Sequence, residues 1–111
     1  MSPIGRQYIV IFEKCIDQFI SNPEYVTSGI LEAAVSSGLH VLNSLEHRFE
    51  PLGLTYILLL SQSHLIVHTW PEYKTLILDL YVCSEGFDFE SFLEKIVKIC
   101  QASEVKKTRV F

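Results

Sequence analysis

Side chains that can do chemistry are concentrated in one stretch of this chain, Ser61–Glu72. Its twelve residues include two serines, two histidines, a glutamate and the only tryptophan of the sequence. A serine hydroxyl becomes a nucleophile when a histidine takes its proton, and two histidines can also share a metal ion. The stretch therefore raises two possibilities, a Ser–His pair and a metal site, and the local backbone decides whether either is feasible.

The backbone around this stretch is predicted to be a β-hairpin. Tyr56–Leu60 and Leu65–Trp70 are rich in β-branched and aromatic residues, which favour strands. Gln62 and Ser63 then lie at the tip between them. Pro71 argues against a helix, because proline interrupts helical hydrogen bonding. The reactive side chains are thus expected on a strand and at its turn.

Strand spacing excludes both simple arrangements within one chain. Strand residues rise about 3.3 Å each, so His64 and His68 lie about 13 Å apart, too far to share one metal ion. Ser63 lies about 16 Å from His68, and their odd spacing turns the two side chains to opposite faces. A Ser–His pair within one regular strand is therefore excluded. If Ser63 and His68 cooperate, we expect the histidine to come from a second copy of the chain.

Length and composition predict a single globular domain, 1–111. The 111 residues are 49% hydrophobic and 20% charged, which is enough apolar material for one core. The formal net charge is −4 and the isoelectric point about 5.5, so the chain has no basic footprint. We therefore expect neither nucleic acid nor an anionic membrane as a partner.

A cytoplasmic location is predicted from the apolar runs and the cysteines. No apolar run approaches the roughly 18 residues of a membrane span, and the opening segment Met1–Arg6 lacks the apolar core of a signal peptide. The three cysteines, Cys15, Cys83 and Cys100, are an odd number without C-x-x-C spacing. This pattern favours free thiols in a reducing compartment, and no metal site is expected.

The hydrophobic pattern predicts an α+β fold in the order βαββ followed by ββαβ. Asn22, Pro23 and Gly38 bracket a helix as N-cap, first residue and terminator. We expect a two-layer α/β sandwich, with a mostly antiparallel sheet and two helices on one face. Several strands are apolar on both sides, which favours a second subunit over solvent on the other face. The predicted strands are 7–13, 41–49, 56–60, 65–70, 75–83 and 104–111, the predicted helices are 23–37 and 88–101, and 15–22 is ambiguous.

Taken together, three motifs resemble a known family. Residues 61–72 read Ser-x-Ser-His-Leu-x-x-His-Thr-Trp-Pro-Glu and are followed by a strand ending in Cys83. Residues 47–53 read His-Arg-Phe-x-Pro-x-Gly, and residues 5–7 read Gly-Arg-Gln. The chain is similar over nearly its whole length to the small prokaryotic S-adenosylmethionine decarboxylase proenzymes. The His-Thr-Trp-Pro-Glu string with a serine five residues before its histidine is specific, whereas no single residue in it would be.

The resemblance implies a chain that cuts itself between Gln62 and Ser63. In this family the matching serine attacks the preceding carbonyl in an N→O acyl shift, and β-elimination then separates the two parts of the chain. The second part begins with a pyruvoyl group derived from Ser63. This group forms a Schiff base with the substrate amine and holds the electrons released when CO₂ leaves, the role of PLP in other enzymes. Residues 1–62 and 63–111 would be the two products.

Roles for three more residues also follow from the resemblance. Cys83 would return a proton to the substrate carbon after CO₂ is lost, a task suited to a thiol. His68 would take the proton whose removal drives β-elimination, and Thr55 would hydrogen-bond the intermediate of the acyl shift. In the family the last two come from the partner subunit, so a homodimer with shared active sites is expected.

The implied substrate is S-adenosylmethionine, decarboxylated to the aminopropyl donor for polyamine synthesis. Phe49 would stack on the adenine, and Glu72 would accept hydrogen bonds from the ribose diol. An aromatic lining also suits the sulfonium charge. The resemblance implies no metal among the site residues.

Each residue also has an ordinary structural explanation. Ser63 fits a turn, and Cys83 fits the buried end of an apolar strand. The remaining histidines, His40, His47 and His64, are interpreted as structural. The functional assignments therefore depend on the motifs as a set.

Departures from the family pattern leave two alternatives open. Gln62 stands where the family has Glu, which removes a negative charge beside the scissile bond. Thr55 replaces the usual Ser, and Lys74 and Ser84 stand where Gly is usual. One alternative is an arginine or ornithine decarboxylase on the same scaffold. The other is an unprocessed, non-catalytic paralogue that regulates an active partner, for which Gln62 is the main support.

Overall fold

A single antiparallel sheet of six strands organises the chain, as seen in a computed structural model that describes residues 4–111. The prediction that the chain has no signal peptide depends on residues 1–6. Residues 1–3 of this segment lie outside the described residues. The strands are β1 (Arg6–Glu13), β2 (Val41–Arg48), β3 (Leu54–Leu60), β4 (Ser63–Trp70), β5 (Thr75–Val82) and β6 (Glu104–Arg109). The helices are α1 (Asp17–Ile20), α2 (Pro23–Ser36) and α3 (Phe89–Cys100), and a 3₁₀ turn spans Pro71–Tyr73.

The strand order across the sheet is β2-β3-β4-β5-β1-β6. Every neighbouring pair is antiparallel, and β3, β4 and β5 lie side by side as consecutive hairpins. The α+β class, the antiparallel sheet and the βαββ-ββαβ order of elements along the chain are confirmed. The expectation of two helices needs a correction, because the ambiguous segment 15–22 contains the short third helix α1.

Local capping explains where the two long helices begin. The Asn22 side chain accepts hydrogen bonds from the backbone N–H groups of Glu24 and Tyr25, with Pro23 as the first residue of α2. The Asp88 side chain accepts from Ser91 N in the same way and starts α3. Both caps satisfy backbone donors that lack a partner inside the helix.

The helices cover one face of the sheet, and the core lies between these layers. Alternate residues of the central strands point into it, which is the period of two that strands impose. Leu58, Leu65, Leu78 and Val10 are fully buried at 0% exposure. Phe92 and Ile96 of α3 and Val26 and Ile30 of α2 meet them from the helical layer.

The opposite face of the sheet has no covering layer in the described part of the chain. We call this side of the sheet the open face. It carries an apolar patch formed by Ile9, Ile11, Ile57, Leu59, Ile66 and Ile77. Leu59 is 52% exposed and Leu45, across from Ile57, is 66% exposed. A monomer would leave this apolar surface in water, so the open face is suited to contact with another molecule.

No helix in residues 4–111 is both long and apolar enough to cross a membrane.

Candidate functional site

The hairpin tip is tighter than the sequence predicts. Leu60 pairs directly with Ser63, so the turn consists of Ser61 and Gln62 alone. Ser63 is the first residue of β4 and not part of the tip, because its backbone continues the ladder. Gln62 has φ 59°, in the left-handed region that side chains disfavour. This conformation costs about 1 kcal/mol, and the strain lies directly before Ser63.

Cys83 contacts both groups on either side of the Gln62–Ser63 peptide. It follows the last residue of β5, next to the start of β4. Its backbone N–H donates to Ser63 Oγ over 3.1 Å. Its thiol donates to the carbonyl oxygen of Gln62 over 3.2 Å. The serine hydroxyl and the preceding carbonyl are therefore both held by one residue of the neighbouring strand.

A cleft of about 290 Å³ opens beside this peptide. Its walls are the turn, the start of β4, the residues after β5 and the connection between α2 and β2, which contributes His40. The backbone carbonyl of His40 also accepts a hydrogen bond from Ser61 N over 3.1 Å. From the sequence, His40 is interpreted as structural. Its position at the turn could not be predicted, because only tertiary contacts bring it there.

Thr55 and His68 form a second cluster on the open face. They are cross-strand partners on β3 and β4, and Thr55 Oγ1 lies 2.9 Å from His68 Nδ1 in a hydrogen bond. His47 of β2 pairs with Thr55 from the other side. The three side chains form a row across three strands. This row lies near the end of β4 that is remote from the turn.

The two residues expected to bind substrate lie beyond the same end of the sheet. Phe49 follows β2 and is 49% exposed, and the His47 ring contacts it edge-on with ring centroids 4.6 Å apart and planes at 68°. Glu72 is an exposed residue of the 3₁₀ turn that follows β4. Both side chains are accessible from outside the chain.

The six predicted site residues thus fall into two groups within one chain. Ser63 and Cys83 lie at the turn, whereas Thr55, His68, Phe49 and Glu72 lie at or beyond the other end of the hairpin. Five strand steps of about 3.3 Å separate Ser63 from His68, and they occupy opposite faces. One chain alone does not bring its own Thr55–His68 pair to its own Ser63.

Tyr81 is a further residue at the turn that the sequence analysis does not select. It precedes Cys83 by two positions, so both side chains emerge on the same side of β5. Contact with the Cys83 side chain, followed by burial, raises the pKa of the Tyr81 hydroxyl above its ordinary value. The period of two from Cys83 is the sequence signal that could have identified it.

Among residues 4–111, no group of three or more His, Cys, Asp or Glu side chains is arranged to hold a metal ion. Cys15, Cys83 and Cys100 are free thiols, and only Cys83 is partly exposed. The groups at the turn are the Ser63 hydroxyl, the Cys83 thiol and the Gln62 backbone, which is strained at φ.

Comparison with known proteins connects this arrangement to one family. The sequence profile described as S-adenosylmethionine decarboxylase matches residues 6–111. The S-adenosylmethionine decarboxylase proenzyme of Thermosipho melanesiensis is 36% identical over 112 residues, covering 98% of this chain and 86% of the relative. The proenzyme of Thermotoga maritima is 33% identical over 105 residues, covering 95% and 81%.

Solved structures show the same fold. The adenosylmethionine decarboxylase of Aquifex aeolicus superposes with a TM-score of 0.87 at 21% identity, covering 98% of this chain and 90% of that one. A monomer of the Trypanosoma brucei protein gives 0.72 at 10% identity and covers 95% of this chain but 45% of that one. At these identities the structures establish the fold alone, and the sequence matches establish the relationship. The resemblance drawn from the motifs is confirmed: the chain belongs to the S-adenosylmethionine decarboxylase family of enzymes.

Proposed function

We propose that this chain cuts itself between Gln62 and Ser63 and then decarboxylates S-adenosylmethionine. The observation that carries the proposal is the pair of hydrogen bonds from Cys83 to Ser63 Oγ and to the Gln62 carbonyl. These are the nucleophile and the electrophile of an N→O acyl shift. Strain at Gln62 favours the cleavage as a whole, since separation of the two parts of the chain by β-elimination releases the turn from its left-handed conformation.

In the proposed cleavage the bonds exchange in two steps. Ser63 Oγ bonds to the Gln62 carbonyl carbon, the C–N bond breaks, and the proton of the hydroxyl passes to the freed nitrogen. The thiol of Cys83 stabilises the negative charge that develops on the carbonyl oxygen. A base then removes the Cα proton of Ser63, and the Gln62 carboxylate leaves. Hydrolysis of the resulting dehydroalanine releases ammonia and leaves the pyruvoyl group.

The base in this proposal is His68 of a second copy of the chain. Within one chain His68 lies on the open face at the far end of β4, bonded to Thr55. The open face is apolar and uncovered, as expected of a homodimer interface. A two-fold pairing that runs β4 of one copy against β4 of the other would place each Thr55–His68 pair near the partner's turn.

Mixed dimers test this sharing of residues between copies. We expect His68→Gln to slow cleavage about 100-fold, the usual range for a lost proton-transfer group, and Ser63→Ala to remain uncut. When the two variants are co-expressed, the His68→Gln chains should be cut, because their Ser63 receives an intact histidine from the partner. Intact-mass spectrometry distinguishes the two chains by a tag on one of them.

A matched control for the mixed dimers is a chain that carries both substitutions. It can dimerise with His68→Gln but has no histidine to lend, so it should give no rescue. Wild-type cleavage in His68→Gln alone would rule out the histidine as the base. Rescue by the double variant would rule out transfer between subunits.

For the decarboxylation step, the residues at the turn fit a pyruvoyl group formed from Ser63. When present, this group supplies a conjugated carbonyl that holds the electrons released with CO₂. Cys83, already within reach of Ser63, returns a proton to the substrate carbon. Phe49 and Glu72 of the second copy, which lie at the same end of the sheet as its Thr55–His68 pair, bind the adenine and the ribose of the substrate. The product is the aminopropyl donor for polyamine synthesis.

Nucleoside binding separates this substrate from a simple amino acid. We expect 5′-methylthioadenosine to bind the processed protein in calorimetry, and Phe49→Ala to weaken binding about tenfold because a base loses its stacking platform. Tyr25→Ala, which removes an exposed aromatic ring from α2, is the control and should leave binding unchanged. Binding of arginine or ornithine without any binding of the nucleoside would contradict the proposed substrate.

A further inference from the structure

We propose that Tyr81 positions the Cys83 thiol and stabilises its thiolate through a hydrogen bond from the phenol. This inference rests on the proposed function, in which Cys83 delivers a proton to the substrate. Tyr81 does not touch the reacting carbon and acts through Cys83 alone. It is therefore a positioning residue and not a catalytic one.

Packing holds the Tyr81 ring beside Cys83. The side chains of Tyr81 and Cys83 both lie against the backbone segment Ile4–Gly5. A Cβ added to Gly5 would lie 3.1 Å from Tyr81 Oη and 3.1 Å from its Cζ, so the phenol end of the ring rests directly on the glycine. The Cys83 sulfur lies 3.9 Å from the carbonyl oxygen of Ile4, the preceding residue. The His64 ring flanks Tyr81 with centroids 6.0 Å apart.

The other side-chain contacts of Cys83 are with hydrogen-bond acceptors, so a thiolate at this position needs a hydrogen-bond donor. Its sulfur faces two carbonyl oxygens, that of Gln62 at 3.2 Å, to which the thiol donates, and that of Ile4 at 3.9 Å. Carbonyl oxygens accept hydrogen bonds but cannot donate one to a thiolate. Neither of these two carbonyl groups therefore stabilises the sulfur once its proton has left. The backbone N–H of Cys83 points towards the start of β4, where Ser63 Oγ accepts it in the uncut chain. The Tyr81 hydroxyl supplies the missing donor.

The direction of the Tyr81 pKa shift agrees with this geometry. Interaction with the Cys83 side chain is its main cause, ahead of burial, and it raises the pKa of the Tyr81 hydroxyl above an ordinary value of about 10. The phenol therefore keeps its proton near neutral pH. A protonated phenol next to sulfur is a hydrogen-bond donor.

The proposed step balances without any other reagent. The S–H bond of Cys83 breaks, its proton joins the substrate carbon that has lost CO₂, and the electron pair remains on sulfur. The O–H of Tyr81 donates a hydrogen bond to this thiolate and stays intact. Water then returns a proton to the sulfur.

Alkylation of Cys83 by iodoacetamide tests the thiolate directly, because Cys15 and Cys100 are only 1% and 0% exposed. The reaction is followed by peptide mass mapping at pH 7.5 in the Ser63→Ala background, where no cleavage or turnover intervenes. We expect Tyr81→Phe to lower the alkylation rate about threefold, since a hydrogen bond to the nucleophilic form is lost. Tyr25→Phe, the matched loss of an exposed hydroxyl on α2, should leave the rate unchanged.

Turnover of the processed chain is the second readout. We expect Tyr81→Phe to cleave itself at the wild-type rate and to lower kcat about tenfold, with KM within about twofold. A merely structural role would change cleavage or KM as well. An unchanged alkylation rate in Tyr81→Phe would overturn the inference, as would an unchanged kcat. If the wild type releases no CO₂, the proposed function fails, and the alkylation rates alone decide the role of Tyr81.

Discussion

Replacing Ser63 with alanine is expected to leave the chain uncut at 12.7 kDa and to abolish CO₂ release. The hydroxyl of Ser63 is the nucleophile of the proposed acyl shift. Its oxygen then leaves with the Gln62 carboxylate while the Ser63 carbons become the pyruvoyl group, so no other side chain replaces it. The substitution removes one hydrogen bond, from Cys83 N, at a half-buried position. We therefore expect the fold to persist, as measured by circular dichroism alongside intact-mass spectrometry.

Ser61→Ala is the matched control for this variant. It removes a hydroxyl from the same turn but keeps the backbone N–H that donates to the His40 carbonyl. Ser61→Ala should be cut like the wild type. Decarboxylation at the normal rate by an uncut Ser63→Ala chain would show that the electron sink comes from elsewhere.

Replacing Cys83 with alanine is expected to separate the two reactions. The backbone N–H still holds Ser63 Oγ, so the chain should still cut itself, about tenfold slower because the thiol donor to the Gln62 carbonyl is lost. Turnover should fall about 1000-fold, since no acid remains to return the proton. Cleavage is followed by intact mass and turnover by release of labelled CO₂.

Cys83→Ser distinguishes the two roles of the thiol. A hydroxyl keeps a donor for the Gln62 carbonyl and should restore the cleavage rate. It is too weak an acid to protonate the substrate efficiently, so turnover should stay low. Near-normal turnover in Cys83→Ala would exclude this residue as the proton donor.

Much of the fold follows from local patterns. The alternation of buried residues in β1, β3, β4 and β5 is visible in the sequence because each strand packs one face on the helices. The helix starts at Asn22 and Asp88 are equally local, because a cap depends on the next two or three residues. The short helix α1 is less visible, since four residues give too little periodicity to recognise.

The site is harder to predict from the sequence than the fold, because its geometry depends on the register in which β3, β4 and β5 pair. The distance between Ser63 and His68 and the faces they occupy follow from strand spacing alone. This is why the sequence already predicts that, if the two residues cooperate, the histidine comes from a second chain. The two-residue turn does not follow, since it depends on Leu60 pairing with Ser63. His40 reaches the turn through tertiary contacts that no local pattern encodes, whereas Tyr81 could have been identified by its spacing of two from Cys83.

Gln62 departs from the family pattern in its side chain but keeps the backbone carbonyl at the predicted cleavage site. The acyl shift uses its backbone carbonyl, which Cys83 contacts whatever the side chain. The structure gives the glutamine a strained backbone that favours cleavage. We therefore expect the loss of the family's negative charge to change the rate of cutting and not its occurrence.

Intact-mass spectrometry of the purified wild-type chain shows whether the chain cuts itself at Ser63. We expect two species, residues 1–62 and residues 63–111, the second beginning with a pyruvoyl group that reacts with hydroxylamine. A single species of 12.7 kDa that persists after long incubation would contradict self-cleavage at Ser63.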